Sequence, residues 1–547
     1  VTTAAAAAPG SLPTPAAPAP ARAAPAPAPT GAATNPWLVT MAVTLATFME
    51  VLDTSVANVA LPHIAGSLSA TVQDSTWVLT SYLVSNAIVL PLNGWITGII
   101  GRKNFNLLCV TAFTISSLLC GLAPNLGMLI VFRIIQGLGG GGLQPSAQGV
   151  MNDAFPPEKR SMGMAVYGIT VVVAPILGPV MGGWLTDHFS WRWIFFINVP
   201  IGIIAFTLTS MLVTDPPYMK RRKWSEVRFD GVGMGLLVLG IGALQIMLDS
   251  GEREDWFSST LIRTYAITAV VSLFGLVVWS LSHKDPIIDF RIMANRGFAT
   301  ATWAMFMLGF SLFASTVLLP LFLQTMMGYT ATDSGLALSP GGFVTLALMP
   351  IVGALMGRLR PSPAPLVMIG MGIVVISLVM MAQFGPETDY HQAVTTRLVL
   401  CMALPLLFLP INAAAFGSIP REQTNSASGL VNLARNLGGS IGIAFVTTFL
   451  DRSTQSHQAG LAGDVSAFHG AVATNLAGTA QSLVGHGISP ADAPAIANVI
   501  LGNQLNRQAH FLSYVECFYA VAILLAISIP FMLMLQKPKF AAGPGAH

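Results

Sequence analysis

WLVTMAVTLATFMEVLDTSVANVAL, residues 37–61, decides the fold. It is apolar along almost its whole length, and its only charges are Glu50 and Asp53. It also exceeds the roughly 20 residues that a helix needs to cross a bilayer core about 30 Å thick. The same ruler, carried outward along the chain, finds fourteen such segments, near 37–61, 77–100, 106–124, 127–148, 162–186, 193–213, 231–248, 262–282, 298–322, 334–356, 366–384, 394–416, 429–450 and 512–535. Overall composition agrees: of 547 residues 53% are hydrophobic and only 9% charged, against about 25% charged in an average soluble domain. A soluble fold has no place for that much apolar surface, so an all-α polytopic membrane protein is expected. The net charge of +3 gives no reason to expect a nucleic-acid partner. Cys109, Cys120, Cys401 and Cys517 lie in or beside apolar runs, with no CxxC pair and no His cluster nearby. They read as buried thiols, with no disulfide, metal site or catalytic constellation expected.

The flanking segments set the organisation. Residues 1–36 are mostly Ala and Pro with the single charge of Arg22, a composition for a solvated, disordered tail. That stretch lacks the basic and apolar regions of a secretory signal and is expected to be cytoplasmic. An even number of spans places both termini on one side. Most of the Lys and Arg residues then fall in loops on that side, including Arg102-Lys103, Lys159-Arg160, Lys220-Arg221-Arg222-Lys223 and Arg358/Arg360, as the positive-inside rule requires of the cytoplasmic face. One external loop, Asp451 to His510, is far longer than the rest and rich in Ala, Gly, Ser, Asn and Gln. Within it Ile496, Val499, Ile500 and Leu505 recur at helical spacing, so a short surface helix over 492–506 competes with a mobile linker, and a docking role with none. The chain also echoes itself. Gly101-Arg102-Lys103 after the second span resembles Gly357-Arg358 after the tenth, and Gly178-Pro179 with Gly182-Gly183 in the fifth resembles Gly438-Gly439 with Gly442 in the thirteenth. Two related bundles with an inserted pair of spans account for this spacing.

Several motifs carry a closer resemblance. Leu52-Asp53-Thr54-Ser55-Val56-Ala57-Asn58-Val59-Ala60-Leu61-Pro62 resembles the first-span motif of fourteen-span drug carriers, and Arg133-Ile134-Ile135-Gln136-Gly137 the arginine motif of the fourth span. Gly178-Pro179 through Gly182-Gly183 resembles the antiporter motif of the fifth span. Trp191-Arg192-Trp193-Ile194-Phe195-Phe196-Ile197-Asn198-Val199-Pro200 is the most specific run. From about Trp37 to the C-terminus the chain is therefore similar to the EmrB-type branch of the drug/proton antiporters in the major facilitator superfamily. One departure stands out: where the general facilitator motif has an Asp followed by Arg, this chain has Gly98 and Ile99, so the gating role of that Asp does not carry over.

The resemblance implies a major facilitator fold of 14 transmembrane helices, two six-helix bundles plus two inserted helices. The chain would then divide into an N-terminal bundle at 37–213, linkers and the inserted pair at 214–297, a C-terminal bundle at 298–535 that includes loop 451–510, and a cytoplasmic tail at 536–547. It implies multi-pass residence in the bacterial inner membrane, interaction with membrane lipids, and export of small amphiphilic drugs driven by protons without a cofactor. A periplasmic adaptor and an outer-membrane channel are the further partners it implies. A proton-coupled uptake carrier would share the fold, and a non-transporting scaffold or a channel are the other readings.

Ionisable groups inside spans cost roughly 2.5–3.5 kcal/mol each on insertion scales, which makes each a candidate for function. Asp53 lies about 12 Å below the outer end of span one and Arg133 about 9 Å below the start of span four, so the two share a depth. Such a pair either holds a transported proton or locks two helices together. Glu50, three residues before Asp53, lies on the same flank, where two carboxylates within reach titrate as a unit. Arg435, flanked by Asn432 and Asn436, has no span acid at its depth and invites either an acidic group of the substrate or of the opposite bundle, or backbone carbonyls. Glu516 sits at the outer border of the last span. Scarcity of acids in the C-terminal bundle favours neutral or weakly acidic substrates over multivalent cations. Met305, Phe306 and Phe310 suit either an adaptable substrate cavity or core and lipid packing. Gly101, Arg102, Gly178, Pro179, Gly182 and Gly183 are candidates for gating and close packing, with Pro175 and Pro179 expected to kink span five. The run Gly139–Gly142 lacks the GK[ST] of a phosphate loop and marks close helix approach.

Overall fold

A computed structural model describes residues 2, 35–156, 159–216, 230–359, 362–385, 388–464 and 470–536. The chain splits into Val1–Asn35, of which only Thr2 and Asn35 are described, and Pro36–His547, which holds the described helices. The Ala- and Pro-rich tail, the Lys220–Lys223 cluster, Arg360 and nearly all of the C-terminal tail lie outside the described residues.

The long apolar runs become helices because, in a bilayer, every backbone amide and carbonyl must be satisfied within the segment. In chain order they are α1 (Pro36–Ser67), α2 (Trp77–Ile100), α3 (Arg102–Gly121), α4 (Leu126–Ala154), α5 (Arg160–His188), α6 (Trp193–Leu212), α7 (Gly231–Ser250), α8 (Thr260–Ser282), α9 (Arg296–Met326), α10 (Ala331–Leu359), α11 (Pro363–Ala382), α12 (Tyr390–Gly417), α13 (Thr424–Asp464), α14 (Gly470–Gly485) and α15 (Ala493–Ser528). Thirteen of them are single helices long and apolar enough to span a membrane. The bent pair Arg160–Pro175 and Val180–His188 of α5, which meet at 45°, supplies the fourteenth span, and α14 stands apart. The protein is therefore a multi-pass membrane protein.

Polar residues mark the helix starts. Asn125, Asp230, Asn295 and Asp389 each accept a hydrogen bond from a backbone amide in the first turn of α4, α7, α9 and α12. Gly101, at φ 87°, makes the turn from α2 into α3 in a backbone region that other residues avoid.

Helices α1–α6 pack as one bundle and α9–α13 with α15 as a second, while α7 lies against α8, α2 and α13. On α8 the side chains of Val270, Val271 and Phe274 are exposed, the condition of a peripheral helix whose outer face lipid must cover. In the second bundle α9 and α13 touch backbone to backbone. A Cβ on Gly438 would meet the Phe306 carbonyl oxygen at 2.1 Å, and one on Gly309 would meet that of Arg435 at 2.1 Å, the small-residue approach that serves for packing where lipid removes the hydrophobic drive.

The two bundles meet at the end of the molecule where α1 begins, here termed the Pro36 end. Asn93 Nδ2 donates to the Asn425 carbonyl at 3.0 Å, Asn425 Nδ2 donates to Thr97 Oγ1 at 3.0 Å, and Gln148 Oε1 accepts from Ser428 at 2.7 Å and from Asn432 Nδ2 at 2.8 Å. These contacts fall in the first turns of α13, against α2 and α4. Alongside them α5 and α10 press together, and the ring of Tyr167 on α5 stacks with that of Phe408 on α12 at 5.8 Å.

The helix expected over 492–506 is present as the first part of α15, and helix extends through much of the rest of the long loop as well. Span thirteen does not end near residue 450. Instead α13 runs for 41 residues to Asp464, about 60 Å against a core of roughly 30 Å. On the return, α15 begins at Ala493, so the stretch expected as a linker with one short helix is an extension of the last two spans with α14 packed beside it. Side chains stitch the extension together: His457 Nε2 lies 3.0 Å from Glu516, and Thr454 Oγ1 lies 3.4 Å from His510 Nδ1. With no Pro between Asp451 and Asp464, no break of that kind stops α13 at the membrane surface.

Replacing Gly438 by Leu is expected to force α13 off α9, an overpacking that costs about 1–3 kcal/mol. Thermal unfolding of the purified protein in detergent should show a lowered midpoint, whereas the same change at Gly372, where a Cβ meets nothing within 4 Å, should leave it unmoved.

Candidate functional site

Two polar networks occupy the interior of the first bundle, and both start on α1. Asp53 is 2% exposed and Arg133 fully enclosed. Arg133 Nη1 donates to Asp53 Oδ2 at 2.5 Å and to Gln136 Oε1 at 2.8 Å, and its Nε donates to the Val78 carbonyl at 2.9 Å. The second carboxylate oxygen, Asp53 Oδ1, accepts from Gln136 Nε2 at 3.0 Å and from Asn198 Nδ2 at 2.7 Å. Asn198 Nδ2 also reaches Ser117 Oγ at 3.0 Å, and Ser117 donates to the Phe195 carbonyl at 2.9 Å. The guanidinium lies over the Tyr82 ring at 4.2 Å and near that of Phe195 at 5.6 Å. One carboxylate thus ties together α1, α4 and α6, and its cation adds α2.

The local sequence explains this convergence. Gln136 lies one turn after Arg133, so both side chains leave α4 on one face. Asn198 opens the main part of α6 just after the Trp191–Phe196 run, whose Arg192 donates to the Gly121 and Ala123 carbonyls at 2.8 Å each, closing the C-terminal end of α3. The specific run of the sequence therefore anchors one donor to Asp53.

Glu50, 3% exposed, faces the other way. Its Oε1 accepts from Asn86 Nδ2 at 3.1 Å and from the Tyr82 hydroxyl at 3.3 Å, and its Oε2 accepts from Gln144 Nε2 at 2.7 Å. Gln144 Oε1 in turn accepts from the Tyr167 hydroxyl at 3.4 Å and from Arg435 Nη2, which comes from the second bundle. The two carboxylates therefore belong to separate networks that meet at Tyr82. Close approach of α4 makes this possible: a Cβ on Gly140 would lie 2.7 Å from the Tyr82 hydroxyl and 3.3 Å from Glu50.

The remaining sequence candidates are dispersed. Asn432 joins the inter-bundle contact through Gln148, and Asn436 lies 3.5 Å from Arg435. Met305 and Phe310 are buried in the core of the second bundle, Phe310 against Phe445, while Phe306 stacks on Trp303. Arg102 is buried, donating to the Gly149 carbonyl at 2.7 Å and pairing with Asp153. Gly178 and Gly182 lie against Ser55 and Val56 of α1, whereas Gly183 faces open space. The side chain of Pro179 is outside the described residues, but the 45° bend falls between Pro175 and Val180. Glu516 pairs with His457 in the extension, away from the two buried networks.

Sequence reasoning missed Gln144, Gln136, Asn198 and one cation. Arg397 of α12 is 3% exposed, its Nη2 reaches only Thr316 Oγ1 at 3.4 Å, and its Nε and Nη1 meet no hydrogen-bond partner among the described residues. The signal was available, since Arg397 lies four residues inside span twelve. The second bundle thus buries two guanidinium groups, Arg397 and Arg435. Among the described residues no group of three or more His, Cys, Asp or Glu is placed to hold a metal ion.

Arg133→Leu is expected to leave Asp53 as an uncompensated buried charge and to destabilise the protein by about 3–5 kcal/mol. In thermal unfolding the double variant Asp53→Leu/Arg133→Leu should recover part of that loss. A double variant no better than the single would show that the ion pair is not the source.

The sequence profile of the Major Facilitator Superfamily matches residues 43–443. The chain is 36% identical over 516 residues to the multidrug export protein EmrB of Escherichia coli (strain K12), covering 93% of this chain and 96% of that protein. To the fatty acid resistance protein FarB of Neisseria gonorrhoeae it is 37% identical over 512 residues, covering 93% and 97%. Among solved structures the human organic anion transporter MFSD10 matches with a TM-score of 0.56 over 90% of this chain and 99% of that one, and at 13% identity this likeness concerns the fold alone.

Proposed function

This chain belongs to the Major Facilitator Superfamily, in its EmrB-type branch, and on that premise we propose that it exports hydrophobic or weakly acidic amphiphilic drugs in exchange for protons by alternating access. The observation that carries the proposal is the pair of buried carboxylates on α1, Glu50 and Asp53, each held by neutral donors or a single cation and enclosed within the first bundle. A carboxyl group kept from water at the middle of a membrane is costly as an anion. It persists where its proton is taken up from one side and released to the other. Export and drug substrates follow the two relatives, one a multidrug export protein and one a fatty acid resistance protein. Two buried guanidinium groups in the second bundle support an acidic group on the substrate, with Arg397 the freer of the two.

In this reading the Pro36 end is cytoplasmic, the membrane is the bacterial inner membrane, and the structure is closed toward the cytoplasm. The proton gradient is the only drive required. The reading extends to a periplasmic adaptor and an outer-membrane channel as partners, for which the helical extension beyond Leu450 offers surface on the far side.

Two outcomes are expected. In inside-out membrane vesicles with an acidic interior, adding an amphiphilic substrate should release protons from the lumen with the native protein and not with Asp53→Asn, as read by a pH-sensitive dye. Equal responses would make Asp53 a structural partner of Arg133, and no response from either would remove the exchange reading. Arg397→Gln should slow export of a carboxylated amphiphile about ten- to a hundredfold, the scale of one charge-assisted hydrogen bond of roughly 1.5–3 kcal/mol, while sparing a neutral analogue.

A further inference from the structure

We propose that Gln144 is a positioning residue that passes the protonation state of Glu50 to the contact between the two bundles. The inference rests on the proton-exchange reading above and adds the step by which a proton moves helices.

The geometry is a three-member chain. Glu50 Oε2 accepts from Gln144 Nε2 at 2.7 Å, and Gln144 Oε1 accepts from Arg435 Nη2 across the bundle interface. The amide cannot lie the other way round, because a flip would turn its oxygen toward a carboxylate and its NH2 toward a guanidinium. Gln144 is thus polarised between an anion of the first bundle and a cation of the second. Among the described residues the other surroundings of Arg435 are weaker: its Nε has no partner there, Asn436 Oδ1 lies at 3.5 Å, and the Tyr167 hydroxyl is shared with Gln144. The groups around Glu50 are Tyr82 and Asn86 of α2, Gln144 of α4, then Tyr167 of α5 and Arg435 of α13 beyond the amide, with Asp53 and its Arg133 one turn along α1. Arg435 is the charge among them that belongs to the second bundle.

Asp53 has no comparable link. Its donors, Arg133, Gln136 and Asn198, all belong to the first bundle, so a change in its charge is absorbed there. Glu50 is the carboxylate whose charge is felt across the interface. When Glu50 is ionised, Arg435 is compensated through the amide and the Pro36 end closes, as observed. When Glu50 takes a proton, the amide's acceptor loses its charge, Arg435 is left buried without a counter-charge, and closure loses its electrostatic support. Protonation therefore opens the Pro36 end and deprotonation closes it. That sign is the one exchange needs: a proton taken from outside returns the empty carrier to the cytoplasm-facing state, and its release there lets the loaded carrier turn outward.

The test follows the Pro36 end directly. Lys159 and Arg358 are exposed at that end of α5 and α10, and the four native cysteines are buried, so spin labels on Lys159→Cys and Arg358→Cys report the separation of the bundles in the full-length protein. In lipid nanodiscs the distance distribution should move from short to long as pH is lowered. Glu50→Gln should hold it long at every pH, and Gln144→Leu should abolish the pH response, with Gln144→Met as the second variant should the first fail to fold. Gln148→Leu removes a neighbouring inter-bundle contact that does not touch Glu50, and should lengthen the distance at every pH while preserving its pH dependence. Gln144 variants that keep the native pH response overturn the relay. So does a native protein whose distances ignore pH while its vesicles still exchange protons, whereas vesicles that exchange no protons overturn the functional reading beneath it.

Discussion

The ion pair between Asp53 and Arg133 is the constraint around which the first bundle is arranged. A guanidinium with no solvent access requires a counter-charge and hydrogen-bond acceptors, and satisfying it draws in a carboxylate from α1, a carbonyl from α2 and an amide from its own helix. Completing the carboxylate's shell then draws in Asn198 at the head of α6, and through it Ser117 of α3. Five of the six helices, all but α5, are thus located by a polar group or carbonyl of this network. Dispersion alone, which lets neighbouring apolar helices slide, would not fix that register.

Closure at the Pro36 end uses a different device. There the contacts between bundles on α2, α4 and α13 are made by neutral Asn, Gln, Ser and Thr groups together with Arg435, where small residues bring backbones close. At Gly429 a Cβ would lie 2.3 Å from the Leu90 carbonyl oxygen. Neutral hydrogen bonds are individually modest, so most of this seam parts at little cost, and Arg435 is the group that loses its acceptor when it does. On the far side α7 bridges the bundles. Gln245 exchanges hydrogen bonds with Ser440 of α13, while Asp249 accepts from Thr80 of α2, and just beyond it Trp256 donates to Thr448. The inserted pair of spans therefore contacts both bundles at the end opposite the seam.

The spans were legible because hydrocarbon imposes one rule, a long apolar run, and fourteen such runs became fourteen crossings. The meeting of Asp53 and Arg133 was legible from depth alone, since helix rise converts residue number into height. Gln144 was not. A glutamine inside an apolar span carries no charge to mark it, and its importance comes from lying between residues 94 positions before it and 291 after it. Arg397 lies near the start of its span, and its enclosure shows only once the helices around it are packed. The extension of α13 was hidden for a different reason. Ala-, Ser- and Gln-rich sequence reads as a linker, yet it costs a helix little to continue through it when a neighbouring helix supplies partners such as Glu516 for His457.

A distinction between completed and incomplete polar shells runs through the molecule. Around Asp53 both carboxylate oxygens are satisfied within one bundle, so that network holds the same shape whatever the second bundle does. Around Arg435 the close acceptor comes from the opposite bundle while its Nε has no partner among the described residues, and Arg397 reaches only Thr316. Charges that are satisfied at home define a rigid body. Charges that depend on a partner across the interface make the position of that body depend on the partner's ionisation. In this chain Asp53 is of the first kind, whereas Glu50, three residues away on the same helix, shares Gln144 with Arg435, a charge of the second kind.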